Sequence, residues 1–135
     1  MTSLVCEEPT LSALKEIQSG AFDSCANLKE LKIACPTEGA AQIKVGYQAI
    51  KYNGAMLSLE LANISSFATT SDRYHEPLAG CDRLEHIELD GISAIPEYLC
   101  QARANLKSAK FDGIVEIKTN SFNNCYELSS ASFGS

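Results

Sequence analysis

The chain has 135 residues, 45% of them hydrophobic and 21% charged, and carries a formal net charge of −6. That length suits one domain, and the balance is ordinary for a folded chain. The acidic excess argues against a nucleic-acid footprint, which needs a basic stripe, and no apolar run approaches the ~18 residues of a membrane span.

Met1–Thr10 has neither a basic start nor an apolar core, so it does not read as a signal peptide. Residues 1–13 are irregular, except that Ser3–Cys6 reads as the strand of a preceding repeat. From residue 14 to 133 one pattern recurs five times. The first copy is Ile17, Ala21, Phe22, Cys25, Leu28, Leu31, Ile33, opened by Leu14 three residues earlier. The second keeps only the apolar skeleton: Val45, Ala49, Ile50, Asn53, Met56, Leu59, Leu61. The third is Pro77, Leu78, Cys81, Leu84, Ile87, Leu89, with Arg73 at the opening aliphatic position. The fourth is Ile95, Leu99, Cys100, Arg103, Leu106, Ala109, Phe111, and the fifth Ile117, Ser121, Phe122, Cys125, Leu128, Ala131, Phe133.

The anchors Leu28, Met56, Leu84, Leu106 and Leu128 are spaced by 28, 28, 22 and 22 residues. Those periods belong to a leucine-rich-repeat solenoid. The two longer copies carry inserts within Ala34–Lys44 and Ala62–Asp72, which this register places at one equivalent point and on one side.

Leucine-x-x-leucine-x-aliphatic ends in a period of two, the mark of a short strand with one buried face. The predicted architecture is therefore an α/β repeat. A parallel sheet lies on one face and short helical or 3-10 turns carry the chain back on the other. The buried ladders are Leu31, Leu59, Ile87, Ala109, Ala131 and Ile33, Leu61, Leu89, Phe111, Phe133. The return ladder is Phe22, Ile50, Leu78, Cys100, Phe122.

Exposed strand positions form columns: Lys29, Leu57, Glu85, Lys107, Ser129; Glu30, Ser58, His86, Ser108, Ser130; and Lys32, Glu60, Glu88, Lys110, Ser132. Glu85 is expected beside Lys107, and Glu88 beside Lys110. Two roles are open to these charges. They solvate and register the sheet, or they form a mixed-charge binding face made of Lys29, Glu30, Lys32, Glu60, Glu85, His86, Glu88, Lys107 and Lys110.

IQSGAFDSCANLKELKI, from Ile17 to Ile33, and IKTNSFNNCYELSSASF, from Ile117 to Phe133, resemble the BspA-like leucine-rich repeats. The shared elements are alanine or serine before phenylalanine, then cysteine, then leucine. The resemblance implies a curved, right-handed array within a larger surface or secreted protein of bacteria or some protozoa. It also implies adhesion to host matrix proteins and to other cells. The family pattern contains no catalytic residue, so it implies none here.

Six cysteines invite a disulfide reading. Cys25, Cys81 and Cys125 share one repeat position with Asn53 and Arg103 between them, so no two of these cysteines are stacking neighbours. Each is expected as a small buried side chain with a weak S–H donor for a carbonyl. Cys6 and Cys35 are the candidate disulfide, provided Ser3–Cys6 stacks on the first copy. No C-x-x-C spacing is present, so neither a metal nor a cofactor is expected.

His86 is placed on the exposed face and His75 in a turn, with no thiolate beside either. Asp90 and Asp112 follow equivalent strands and read as solvated acids, since two carboxylates fall short of a Ca²⁺ shell. Asn63-Ile64-Ser65 is a glycosylation triplet, significant only in a eukaryotic secretory setting. Tyr47, Tyr52 and Tyr74 offer contact area near the inserts, or pack the turns. Phe133-Gly-Ser closes the chain without a polar cap, which reads as a fragment of a longer array.

Two functions follow from this reading. The first is a non-catalytic module that binds a protein or peptide, such as a host matrix or cell-surface protein, without membrane insertion. The second is a structural protein whose repeat ends stack into oligomers or fibres.

Overall fold

The leucine-x-x-leucine-x-aliphatic cores become strands because every second residue finds apolar neighbours one repeat away. The computed structural model describes residues 3–6, 15–34, 43–68 and 77–134. Its strands are β1 (Ser3–Cys6), β2 (Glu16–Ile17), β3 (Glu30–Ile33), β4 (Ile43–Val45), β5 (Ser58–Leu61), β6 (Ile64–Phe67), β7 (His86–Asp90), β8 (Ala94–Ile95), β9 (Ser108–Asp112), β10 (Glu116–Ile117) and β11 (Ser130–Ser132). The main sheet is six-stranded and parallel, in the order β1-β3-β5-β7-β9-β11. The strand expected at Ser3–Cys6 is present and pairs with β3.

The register aligns Leu31 with Leu59, Ile87, Ala109 and Ala131. Leu31, Leu59 and Ile87 are fully buried and Ala109 nearly so. Ile33, Leu61, Leu89 and Phe111 form the second buried ladder. Each such side chain contributes roughly 1.5–3 kcal/mol through burial, but only because the next turn covers it. No further turn lies over the last strand among the described residues. Ala131, expected in the buried ladder, is exposed, and Phe133 is half-buried. Phe133 stacks on Phe111 with centroids 6.1 Å apart, and Phe122 meets both rings edge-on.

The short strands form a second layer, split into β2-β4-β6 and β8-β10. Here the structure corrects the third copy. Phe67, not Arg73, pairs in line with Val45 and is the opening apolar residue. Arg73 lies outside the described residues. The six extra residues of the second copy therefore fall between Ile33 and Val45, and those of the third between Phe67 and Leu78. The two inserts leave the solenoid at different points of the turn, not on one side. Apolar spacing does not reveal this, because Ile64–Phe67 lies within Ala62–Asp72, which has the small and polar composition of an insert.

The split between β6 and β8 has a local cause. Along the short strands, the Gly46 amide donates to Ile17 O, Ala68 to Val45 O and Lys118 to Ile95 O. The equivalent donor facing Phe67 O is residue 96, which is proline and has no N–H. A cavity of about 240 Å³ opens at this break, lined by Ser65, Ser66, Phe67, Ser93, Pro96 and Lys118 among others.

The return face is not helical, which corrects the expected helical or 3-10 turns. Among the described residues there is no helix. Each return is a series of tight turns closed by bonds such as Ala21 N–H to Gln18 O, Cys81 N–H to Leu78 O and Leu99 N–H to Pro96 O. The third residue of these turns is left-handed: Gly20 (φ 72°), Gln48 (50°), Tyr98 (58°) and Asn120 (55°) before the return ladder, then Ser24 (57°), Tyr52 (59°), Gly80 (78°), Ala102 (58°) and Asn124 (61°) after it. A positive φ every four residues is the pattern of successive type II turns and prevents helix propagation. Stacking satisfies the remaining amides: Phe22 N–H reaches Ala49 O at 2.7 Å and Cys100 N–H reaches Ser121 O at 2.7 Å.

Candidate functional site

The outer positions of the main sheet carry the charges singled out above. Glu85 and Lys107 meet at 3.2 Å, Glu88 and Lys110 at 3.5 Å, and Lys32 and Glu60 at 3.4 Å. The first two pairs are those expected from the columns. Lys29, Glu30, Lys107 and Lys110 are exposed, whereas Lys32, Glu60, Glu85, His86 and Glu88 are half-buried among their neighbours. Leu57 breaks the charge pattern, 40% exposed beside Lys29 and Glu85.

One column, Lys32-Glu60-Glu88-Lys110, runs straight across β3, β5, β7 and β9. It sets two carboxylates side by side at its centre, an arrangement that costs stability unless cations flank it. His86 leans over the pair, its Nε2 3.8 Å from Glu60 Oε1 and 3.6 Å from Glu88 Oε2. Its Nδ1 is 2.6 Å from Ser108 Oγ. Sequence reading placed His86 and the two glutamates on the same face but in different columns. Their convergence depends on strand twist and rotamers, which have no signal in the sequence.

Asp90 and Asp112 are register partners, and with Glu60 and Glu88 they line a shallow cavity of about 90 Å³ at the strand ends. Tyr47 and Tyr52 are exposed on the turns, and the Lys51 ammonium lies 5.2 Å from the Tyr52 ring centre. In the glycosylation triplet, Asn63 is half-buried and the Ser65 hydroxyl donates to Ile43 O at 3.2 Å. His75 and Tyr74 lie outside the described residues.

The cysteine position is a ladder of donors. Asn53 Nδ2 donates to Phe22 O at 2.7 Å, and Cys81 Sγ donates to Ile50 O at 3.2 Å. Arg103 Nη1 donates to Leu78 O at 2.7 Å, and Cys125 Sγ donates to Cys100 O at 2.9 Å. Each acceptor is the return-ladder residue of the preceding copy. The position therefore selects a donor, which is why asparagine and arginine replace cysteine there. Ser121 is likewise buried, its hydroxyl donating to Lys118 O at 2.7 Å with Pro96 O also near at 2.9 Å.

Burial pushes the Cys81 thiol up to about 11, and bonding to the Asn53 backbone and the nearby Arg103 charge only partly oppose it. Burial raises Cys100 and Cys125 as well. Such thiols are structural rather than nucleophilic. Cys25, Cys81, Cys100 and Cys125 are free. The candidate pair Cys6–Cys35 cannot be placed, because Cys35 lies outside the described residues.

A family model described as the BspA type leucine rich repeat region, of six copies, matches residues 42–135. Among solved structures, a leucine rich cell surface protein from Faecalibacterium prausnitzii A2-165 has a TM-score of 0.63 at 18% identity, covering 100% of this chain and 32% of that one. At that identity the likeness speaks for the fold, and the chain spans about a third of that protein's length. Comparison with curated proteins gives no match. A parallel solenoid whose turns repeat alanine or serine, phenylalanine, cysteine and leucine, matched over most of its length, is a member of the BspA type leucine-rich-repeat family.

Proposed function

We propose that this chain is a non-catalytic protein-binding module of a cell-surface protein, and that the outer face of the main sheet is its recognition surface. The observation that carries this reading is the in-register set of charged columns around the exposed Leu57. Such a face binds by many modest contacts, with charge complementarity setting the partner. The partner class is an extracellular protein or peptide, of a host matrix or another cell. The buried cysteines, with their raised pKa values, offer no activated nucleophile, which supports a non-enzymatic role.

The test is adhesion of the isolated chain to immobilised matrix proteins and to cells. The variant Glu85→Lys with Lys107→Glu keeps the ion pair but inverts the local field. A loss of tenfold or more in binding supports the face; unchanged adhesion removes it as the site.

A second reading is head-to-tail stacking into oligomers. It is favoured by Val115, Ile117 and Tyr126, which are 85%, 51% and 78% exposed on the last turn. Sedimentation velocity over a hundredfold range of concentration decides it, since a constant monomer excludes stacking.

A further inference from the structure

We propose that Glu60, His86 and Glu88 form a binding site for a divalent transition-metal ion, Zn²⁺ foremost. The site stands apart from the protein-binding reading, because an ion can be held there whether or not the face meets a partner.

The three ligand atoms, one from each residue, all lie within 4.8 Å of one another. Neither contact of His86 Nε2, at 3.8 Å and 3.6 Å, is short enough for a hydrogen bond. The imidazole nitrogen and two carboxylate oxygens thus stand at ion-pair distance with no hydrogen bond between them. Tetrahedral Zn²⁺, with ligands at about 2.0–2.1 Å, needs donor atoms ~3.4 Å apart. The two His86 separations, 3.8 Å and 3.6 Å, are within a few tenths of an ångström of that value, and these partly exposed side chains can adjust to it.

The surroundings aim each donor. Lys32 Nζ lies by Glu60 Oε2, leaving Oε1 on the His86 side. Lys110 Nζ lies by Glu88 Oε1, leaving Oε2 on the His86 side. Ser108 Oγ, 2.6 Å from His86 Nδ1, accepts its proton when Nε2 carries the lone pair toward the ion. A second hydrogen-bonding layer of this kind typically sets the tautomer of a metal-binding histidine.

The donor set also selects the ion. One imidazole with two carboxylates suits Zn²⁺ and its first-row neighbours. Ca²⁺ takes six to eight oxygen ligands, and Mg²⁺ favours an all-oxygen shell over an imidazole. Three protein ligands leave a fourth position open to water or to a ligand side chain of a partner. The arrangement is absent from local sequence spacing, since Glu60 stands on β5 and the other two on β7.

The test is titration of the full chain with Zn²⁺ in a phosphine reductant, followed by calorimetry and by NMR of the two imidazoles. His75 and His86 are the only histidines, so their signals separate cleanly once each is assigned by substitution. The expected result is one equivalent of Zn²⁺ that shifts His86 and spares His75. His86→Ala, and separately Glu60→Gln with Glu88→Gln, should each weaken binding at least tenfold, with the fold confirmed by circular dichroism. Ser108→Ala should weaken it roughly tenfold, the usual size of a second-layer effect. No His86 shift at millimolar Zn²⁺ overturns the proposal. So does an affinity unchanged by His86→Ala, which would place the ion on the thiols.

Discussion

Cys81 Sγ lies 3.2 Å from the carbonyl oxygen of Ile50, the return-ladder residue one turn earlier. The same link is made by Asn53, Arg103 and Cys125 to Phe22, Leu78 and Cys100. The position therefore demands hydrogen-bond donation rather than a thiol. Replacing Arg103 with leucine should cost about 1–2 kcal/mol, because Leu78 O would lose its charged donor and keep only the Cys81 N–H. Arg103→Cys should cost less, since a donor remains. Urea denaturation of the two variants checks the order. The exposed Asp82 partner of Arg103 adds little.

Stability should fall at alkaline pH. The Cys81 thiol moves from an ordinary value of 9.0 to about 11 in the folded chain. The unfolded chain then releases its proton first, so the contribution is complete below pH 9 and is lost as pH rises through about 11. The loss attributable to this group is roughly 2–3 kcal/mol, at ~1.4 kcal/mol per unit. Cys81→Ser should flatten this part of the stability curve, measured by denaturation at closely spaced pH values.

Gly80 should tolerate no side chain. Its left-handed φ of 78° is not the obstacle, since Ala102 occupies the same turn position at 58°. The obstacle is Tyr52, whose ring a Cβ at Gly80 would strike and whose Cα would lie 2.9 Å away. Gly80→Ala should destabilise by roughly 2 kcal/mol, an overpacking cost. Tyr52→Ala in the same chain should recover part of it, seen as non-additivity in a double-mutant cycle.

Pro96 should be the reason that the short-strand layer is interrupted. Pro96→Ala supplies an N–H opposite Phe67 O, matching the Ala68 to Val45 and Lys118 to Ile95 bonds on either side. The expected outcome is a slowly exchanging amide at residue 96 and a smaller cavity beside Ser66 and Ser93. Hydrogen exchange at the level of a freely exposed amide would show that the split has another cause.

Much of the fold was legible because a repeat states each constraint several times. Leu31, Leu59 and Ile87 announce one buried ladder, and alternation with Lys32, Glu60 and Glu88 announces the strand and its open face. The donor role of the cysteine position was legible too, because asparagine and arginine share with cysteine little except a polar hydrogen. The third copy is obscure where the signal is weakest: Ile64-Ser65-Ser66-Phe67 has no leucine anchor, and apolar spacing alone points to Arg73 where Phe67 belongs.

By itself, the sequence determined the solenoid, the register of the main sheet and the residues of its outer face. Side-chain period and repeat spacing are local properties, and stacking leaves them one solution. Only the tertiary structure decided the rest: turns instead of helices on the return face, two inserts leaving at different points, a layer broken at Pro96, and His86 brought against Glu60 and Glu88. These depend on left-handed backbone, on hydrogen bonds between turns and on rotamers across strands, and such relations exist only after the copies have stacked.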